Sequence, residues 1–442
     1  MKPLEIVYKN SALVPPSELK ALSQKLEPEI KRIQHALTTG YDSPYASINL
    51  ITDEHMHSVI NNVAQEKKQL NPRIMVVIGI GGSNLGALAI HEALHGTMYN
   101  QGDPELKVYW ADTVDSDYMS TIASRMEAML RQGSHVLLTI ISKSGSTTET
   151  AANAQVLLAL LKQYHPEDYF RFVVAITDKD SALWRIATQE RWVSLEIPKN
   201  VGGRYSVFSA AGLFPLAMLG VDIKQLLEGA RFIMPELLDV SVEQNPAALS
   251  ALILTHFRRN GKTIHDTFLF SVAFESIGKW YRQLLGESIG KEFNRQGQRV
   301  YMGITPTVSI GSTDLHSVGQ LYMGGPRDKV TTFITLGAGN TDLVVPSTPE
   351  YAALGESIQD KTYSQIMDAI VSGVQKAYTK ASLPFVTIAL PEKSSFYLGQ
   401  LLQLKMLEIM YLGYLLEVNP FDQPQVESYK QETREILAGR SA

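Results

Sequence analysis

Two runs of this chain carry the residue types that hold an anion. In HVLLTIISKSGSTTET a β-branched run leads into a segment in which seven of the nine residues from Ser142 to Thr150 are Ser, Thr or Lys, and a helix is expected to begin at about Thr148. Hydroxyls, backbone amides and one cation converge there, and a phosphate monoester needs such donors at a helix N-terminus; Ser142, Lys143, Ser144 and Thr147 would supply them. An ordinary polar loop with an N-cap has the same composition. In MVVIGIGGSNLGALAIHEAL a buried strand, a glycine turn and a helix start place Gly81, Gly82 and Ser83 where free N–H groups point outward. A turn needed only for tight strand-helix packing would read alike.

Four further segments hold groups able to move protons or stabilise charge. WYRQLLGESIGKE ends a helix whose apolar residues Phe274, Ile277, Tyr281 and Leu284 recur at helical spacing, with Gly286 as its expected stop and Gln283 and Glu287 near its end. One carboxylate on one face of an enediol can pass a proton between adjacent carbons; a solvated surface glutamate is the plainer reading of Glu287. IPKNVGGRYSVFSAAGLFPLA sets Arg204 between two glycines and an apolar run, so its cation is expected to face a desolvated cleft or to tie loops together. A fixed guanidinium can stabilise an enediolate by about 3–4 kcal/mol per donor. In GSTDLHSVGQLYMGGP, His316 is expected near the start of a helix with Gln320 one turn on, able to open a sugar ring or simply to cap or pack. NPFDQPQVESYKQE places Gln423 in a proline-bounded turn and Lys430 on a following helix, within reach of a shared ligand or merely at the surface.

Other chemistries find no support. Counted from Gly79, the third glycine of a dinucleotide fingerprint would fall at Asn84. GESIGKE is one residue short of a nucleotide P-loop and lacks Ser or Thr after Lys291, while NGKT has His256 where the first glycine belongs. His55 and His57 have no evident third ligand, and no metal site is expected. The chain has no cysteine, which removes thiol nucleophiles and disulfides and fits a reducing compartment. With a formal net charge of −5 and no block of like charges, no nucleic-acid footprint is present. The N-terminus lacks the features of a secretory signal, and the longest apolar stretch, Leu398 to Leu416, carries Lys405 and Glu408, so it reads as a buried helix and no membrane partner is expected.

The elements that must position these groups follow from the hydrophobic texture. Residues 17 to 70 show helical spacing broken by GYDSPYAS. From Met75, short runs such as MVVIGI, KVYWA, HVLLTIIS, RFVVAIT and WVSLEI alternate with helical segments, as a doubly wound parallel sheet requires. After a helical bridge, TIHDTFLFS, RVYMGI, KVTTFITL and FVTIAL repeat the pattern more weakly, followed by C-terminal helices. The expected architecture is α/β: two doubly wound parallel-sheet units in an α/β/α arrangement with added N- and C-terminal helices. The expected divisions are a helical segment at 1–70, a first unit at 71–220, a bridge at 221–260 and a second unit at 261–442. An active site in the cleft between units is the natural expectation.

In order and spacing, GIGGSNLG, SKSGSTTET, VGGRYSVFSAAG, GESIGK, the histidine segment and FDQPQVESYK resemble the successive motifs of the glucose-6-phosphate isomerase family, over roughly Val76 to Lys430. The phosphate loop is similar to the shorter bacterial type, and both units would then be SIS-like. The resemblance implies that Glu287 moves the proton between C2 and C1, that Arg204 stabilises a cis-enediolate, and that His316 and Lys430 act in ring opening. It implies that Ser142, Lys143, Ser144 and Thr147 bind phosphate, that Gly82 and Ser83 line the sugar pocket, and that Gln283 and Gln423 contact substrate. It further implies a cytoplasmic enzyme needing no cofactor, and a homodimer in which His316 serves the partner subunit's site. One position departs: the family commonly has glycine where this chain has Gln425, which bears on the placement of Gln423 and Lys430. A dual glucose/mannose-6-phosphate isomerase and a non-catalytic sugar-phosphate-sensing module are the alternatives on the same fold.

Overall fold

Residues 2–439 are described by the computed structural model. A two-residue strand, β1 (Ile6–Val7), precedes two helices, Pro16–Ala36 and Glu54–Gln69, the second capped by Asp53, whose Oδ1 accepts the Met56 amide at 2.9 Å. The first sheet follows: β2 (Pro72–Ile78), β3 (Lys107–Ala111), β4 (His135–Ile141), β5 (Val173–Thr177) and β6 (Val193–Glu196). All are parallel, in the order β3-β2-β4-β5-β6. Helices cover both faces of such a sheet, so β2, β4 and β5 read as unbroken apolar runs rather than alternating ones. The chain leaves β2 for β3, then crosses back to β4, so the carboxyl ends of β2 and β4 flank the point where strand order reverses. Loops diverge there and leave a crevice.

The second sheet takes β7 (Ile264–Leu269), β10 (Thr305–Ile310), β11 (Lys329–Ala338) and β12 (Phe385–Glu392), with β8 (Lys291–Phe293) and β9 (Arg299–Met302) forming a separate antiparallel hairpin. Its order is β1-β12-β11-β7-β10, parallel except for β1 at the edge. The run RVYMGI therefore does not join the sheet as its composition suggests; it supplies the exposed hairpin strand β9, and the less apolar TPTVSI occupies the sheet edge. An edge strand with one neighbour needs fewer apolar residues, which is why the texture misplaces the pair.

Between the sheets runs the helix Ser395–Leu415, in which every residue but Tyr414 is buried. It packs on the helices Ile223–Phe232, Pro246–Arg259 and Glu275–Ile289, and one apolar cluster extends from the N-terminal helices through both sheets. Its two charges are tolerated because they meet: Lys405 Nζ lies 2.8 Å from Glu408, which also accepts the Tyr281 hydroxyl. Among the described residues no helix is long and apolar enough to cross a membrane. Gly286 is not the stop of its helix, which continues to Ile289 because Ser288 and Ile289 are themselves buried. His316 likewise precedes its expected helix: it closes a 3-10 turn, Thr313–His316, and the helix with Gln320 starts at Gly319.

Candidate active site

The half rich in hydroxyls and backbone amides lies at the carboxyl ends of β2 and β4. After β4 the chain turns at Gly145, whose φ of +69° is a conformation that side chains with a Cβ rarely adopt, and enters the helix Thr148–Tyr164. Thr147 N-caps that helix without a side-chain capping bond; its hydroxyl lies 3.2 Å from Ser142 Oγ instead. The amides of the first turn, which have no intrahelical acceptor, are left at the mouth of the cleft. The loop is pinned from beneath by the buried Thr177, which donates to the Ser142 carbonyl at 2.6 Å, with Ser181 Oγ 2.7 Å away. Ser142 is itself buried and does not border the cleft; its hydroxyl accepts the Gly145 amide at 3.2 Å and shapes the loop. Burial pushes the Lys143 ammonium below the ordinary lysine value, opposed by Asp178.

The turn after β2 meets the turn carrying Arg204 at closest approach. A Cβ on Gly82 would stand 2.1 Å from the Gly203 carbonyl carbon, so no larger residue fits. Ser206 Oγ donates to the Gly82 carbonyl at 3.2 Å and to that of Gly203 at 2.7 Å, locking the two turns together. Gln283, from the facing helix, approaches Gly81 and donates to Glu287 Oε1 at 3.3 Å.

The other half is assembled around Arg204, which is 4% exposed. Its Nε donates to Ser288 Oγ at 2.7 Å, Nη1 to Gln423 Oε1 at 2.9 Å, and Nη2 to the carbonyls of Pro420 at 2.6 Å and Asp422 at 3.0 Å. Such a fork has little rotational freedom. Glu287 Oε2 lies 3.6 Å from Nη1, with the glutamate side chain one-third exposed to the cleft and the arginine enclosed behind it. A carboxylate and a fixed cation thus stand side by side, an arrangement able to take a proton and to stabilise the oxyanion that results.

One cavity of about 770 Å³ joins the two halves. It is bordered by Gly82, Ser83, Lys143, Ser144 and Thr147 on one side and by Arg204, Gln283, Glu287, Gln423 and Lys430 on the other. Lys430 comes from the helix Gln425–Leu437, pairing with Glu427 at 2.7 Å. His316 does not join them: it is exposed, and its turn is anchored elsewhere by Asp314, which accepts the Ile310 amide at 2.7 Å. Sequence reading passes over Ser288 and Asp422, which hold Arg204, and weighs Lys291 only as a P-loop lysine. The available signal is position: each adjoins or lies close to a residue already singled out.

Comparison with known proteins agrees with this geometry. The phosphoglucose isomerase family model matches residues 52–441. Glucose-6-phosphate isomerase of Carboxydothermus hydrogenoformans is 34% identical over 371 residues, 83% of this chain and 79% of that protein. That of Streptococcus thermophilus is 34% identical over 381 residues, 85% of this chain and 82% of its own length. Among solved structures, a hypothetical protein from Thermus thermophilus superimposes with a TM-score of 0.86 at 31% identity, covering 98% of this chain and 100% of the other. A glucose-6-phosphate isomerase from Chlamydia trachomatis shares the fold, with a TM-score of 0.82 at 20% identity over 98% of this chain and 88% of that one. This chain belongs to the phosphoglucose isomerase family.

Proposed function

We propose that this protein interconverts glucose-6-phosphate and fructose-6-phosphate, with Glu287 as the base. The observation that supports it best is the shared cavity, in which a hydroxyl- and amide-rich turn faces a carboxylate lying 3.6 Å from an enclosed guanidinium. The phosphate docks at Lys143, Ser144, Thr147 and the helix N-terminus, in a loop shaped by Ser142. Gly82, Ser83, Gln283 and Gln423 line the sugar. Ring opening moves a proton from the anomeric hydroxyl to the ring oxygen, the task of His316 and Lys430. Glu287 then takes the C2 proton, the electron pair forms the C1–C2 double bond while the C1 carbonyl electrons pass to O1, giving a cis-enediolate beside Arg204; the O2 proton shifts to O1, and Glu287 returns its proton to C1, leaving the ketone at C2. Holding the remote phosphate lets binding energy orient the reacting carbons.

His316 lies outside this cavity in its own subunit, which favours a homodimer in which each subunit lends the histidine to the other. The cysteine-free sequence suits the cytoplasm. The division into units at 71–220 and 261–442 belongs to the same reading, the first supplying the turns after β2 and β4 together with Arg204 and the second supplying Gln283, Glu287, Gln423 and Lys430.

The test is incubation with fructose-6-phosphate in deuterated water, without added metal or nucleotide, followed by NMR. Glucose-6-phosphate carrying deuterium at C2 is expected from the native protein, and none from Glu287→Gln, which should still bind sorbitol-6-phosphate. Undiminished turnover in Glu287→Gln would reject the base, and binding without exchange in the native protein would favour a sensor.

A further inference from the structure

The helix that carries Glu287 ends only two residues later, so the Glu287 carbonyl is one of the terminal carbonyls left without an intrahelical donor. Lys291 supplies that donor. Its Nζ donates to the Glu287 carbonyl at 2.7 Å, to the Asp422 carbonyl at 2.6 Å, and stands 3.3 Å from Asp422 Oδ1. The side chain is 6% exposed. One ammonium therefore bolts the end of the base-bearing helix to the turn that presents Gln423.

The Asp422 carbonyl also accepts Arg204 Nη2 at 3.0 Å, so two cations share one oxygen. Burying two cations side by side is costly unless the acceptors that face them are placed to compensate. Here every proton of Lys291 has an acceptor within reach, and all belong to segments that place Glu287, Gln423 or Arg204. Lys291 does not border the cleft; it borders a separate cavity of about 430 Å³, together with Asp422 and Gln425. That space lets a substituted side chain settle without entering the cleft.

From this we infer that Lys291 is a positioning residue for the reaction: by capping the helix at Glu287 and clamping Asp422, it fixes the base relative to Arg204 and Gln423. It touches no substrate. Its removal lets the helix end and the turn drift apart, which lowers the chemical step more than binding, because the phosphate turn lies across the cleft. The inference rests on the assignment of Glu287 as base.

Lys291→Met, nearly equal in length but without charge or donors, is expected to lower kcat about 10- to 100-fold while KM for fructose-6-phosphate stays within about threefold. A folded Lys291→Met with native kcat, or one whose loss lies in KM alone, overturns the inference. The cysteine-free sequence provides a second arm that does not depend on that variant folding. Lys291→Cys is unfolded, alkylated with bromoethylamine to restore an ammonium at lysine length, and refolded beside identically treated native protein and an iodoacetamide-capped control. Recovery of kcat by the aminoethyl form alone is expected; equal recovery by both adducts, or by neither when native protein survives the treatment, overturns it. Glu287→Gln assayed alongside separates the two readings. If it retains turnover, the base assignment fails; if it is inactive while Lys291→Met has native kcat, only the role of Lys291 fails.

Discussion

The two sheets share a winding pattern, yet their contributions to the cleft differ in kind. The first offers backbone amides, hydroxyls and glycine turns, with the Lys143 ammonium among them, at the ends of β2 and β4, where strand order reverses. The segments around the second offer long polar and charged side chains: Glu287 from the helix after β7, and the Gln423 amide and the Lys430 ammonium from the C-terminal turn and helix. Arg204 comes from the chain leaving the first sheet but is held by Ser288, Pro420, Asp422 and Gln423, all from the other side. The difference teaches that gripping needs many weak, fixed dipoles, which loops at strand ends supply readily. Proton transfer needs one group held to within a fraction of an ångström, which takes a helix end and a buried network.

Substitutions can break or sharpen that division. After the near-complete loss expected for Glu287→Gln, the largest effect falls on Arg204→Lys. It keeps the charge but cannot reach all the acceptors of the guanidinium, so kcat should fall about 10²- to 10³-fold with little change in KM. Steady-state kinetics decide, and a loss confined to KM would move Arg204 to the gripping half. Next, Lys143→Ala should remove one charge-assisted bond to phosphate, about 1.5–3 kcal/mol, raising KM roughly 10- to 100-fold at near-native kcat. Because burial lowers the Lys143 pKa, the free protein loses that charge at a lower pH than an ordinary lysine. KM should accordingly begin to climb at a pH below that at which an ordinary lysine, of pKa about 10.4, loses its charge, and Lys143→Arg, charged throughout, should flatten the climb. Persistence of the climb in Lys143→Arg would assign it to another group.

The smallest effect concerns stability and should touch neither half. His91 lies buried in the helix Leu85–His95, and burial holds its pKa down to about 3, against an ordinary value of 6.5. The unfolded chain therefore binds the extra proton first as pH falls, so stability present above about 6.5 is lost progressively below it, by about 2 kcal/mol at pH 5. His91→Phe should reduce the acid slope of the thermal midpoint by part, since His57 and His265 are shifted in the same direction by burial. An unchanged slope would show that His91 reaches solvent.

Much of this architecture is readable from residue order. Buried parallel strands must be apolar on both faces, so β2 to β6, β7, β11 and β12 stand out as runs, and the glycines at 81 and 82 mark a tight turn, left-handed at Gly81 and at close approach at Gly82. The runs mislead where burial is one-sided: β9 reads as a sheet strand, and β10 does not stand out at all. Gly286 reads as a helix end because a glycine breaks a helix only when tertiary burial does not hold the next turn, and here it does.

Residue order alone determined which polar and charged groups are available to the cleft and which local turns carry them, because strand periodicity, helix caps and glycine conformations are properties of neighbouring residues. Tertiary structure alone decided that Arg204 sits 3.6 Å from Glu287, that Ser142 turns inward to shape its loop, and that His316 lies apart from the cleft. It also decided that Lys291 joins Glu287 to a turn 131 residues away. Those facts depend on packing between distant segments, where the cost of burying a charge is met by partners that no short stretch of chain contains.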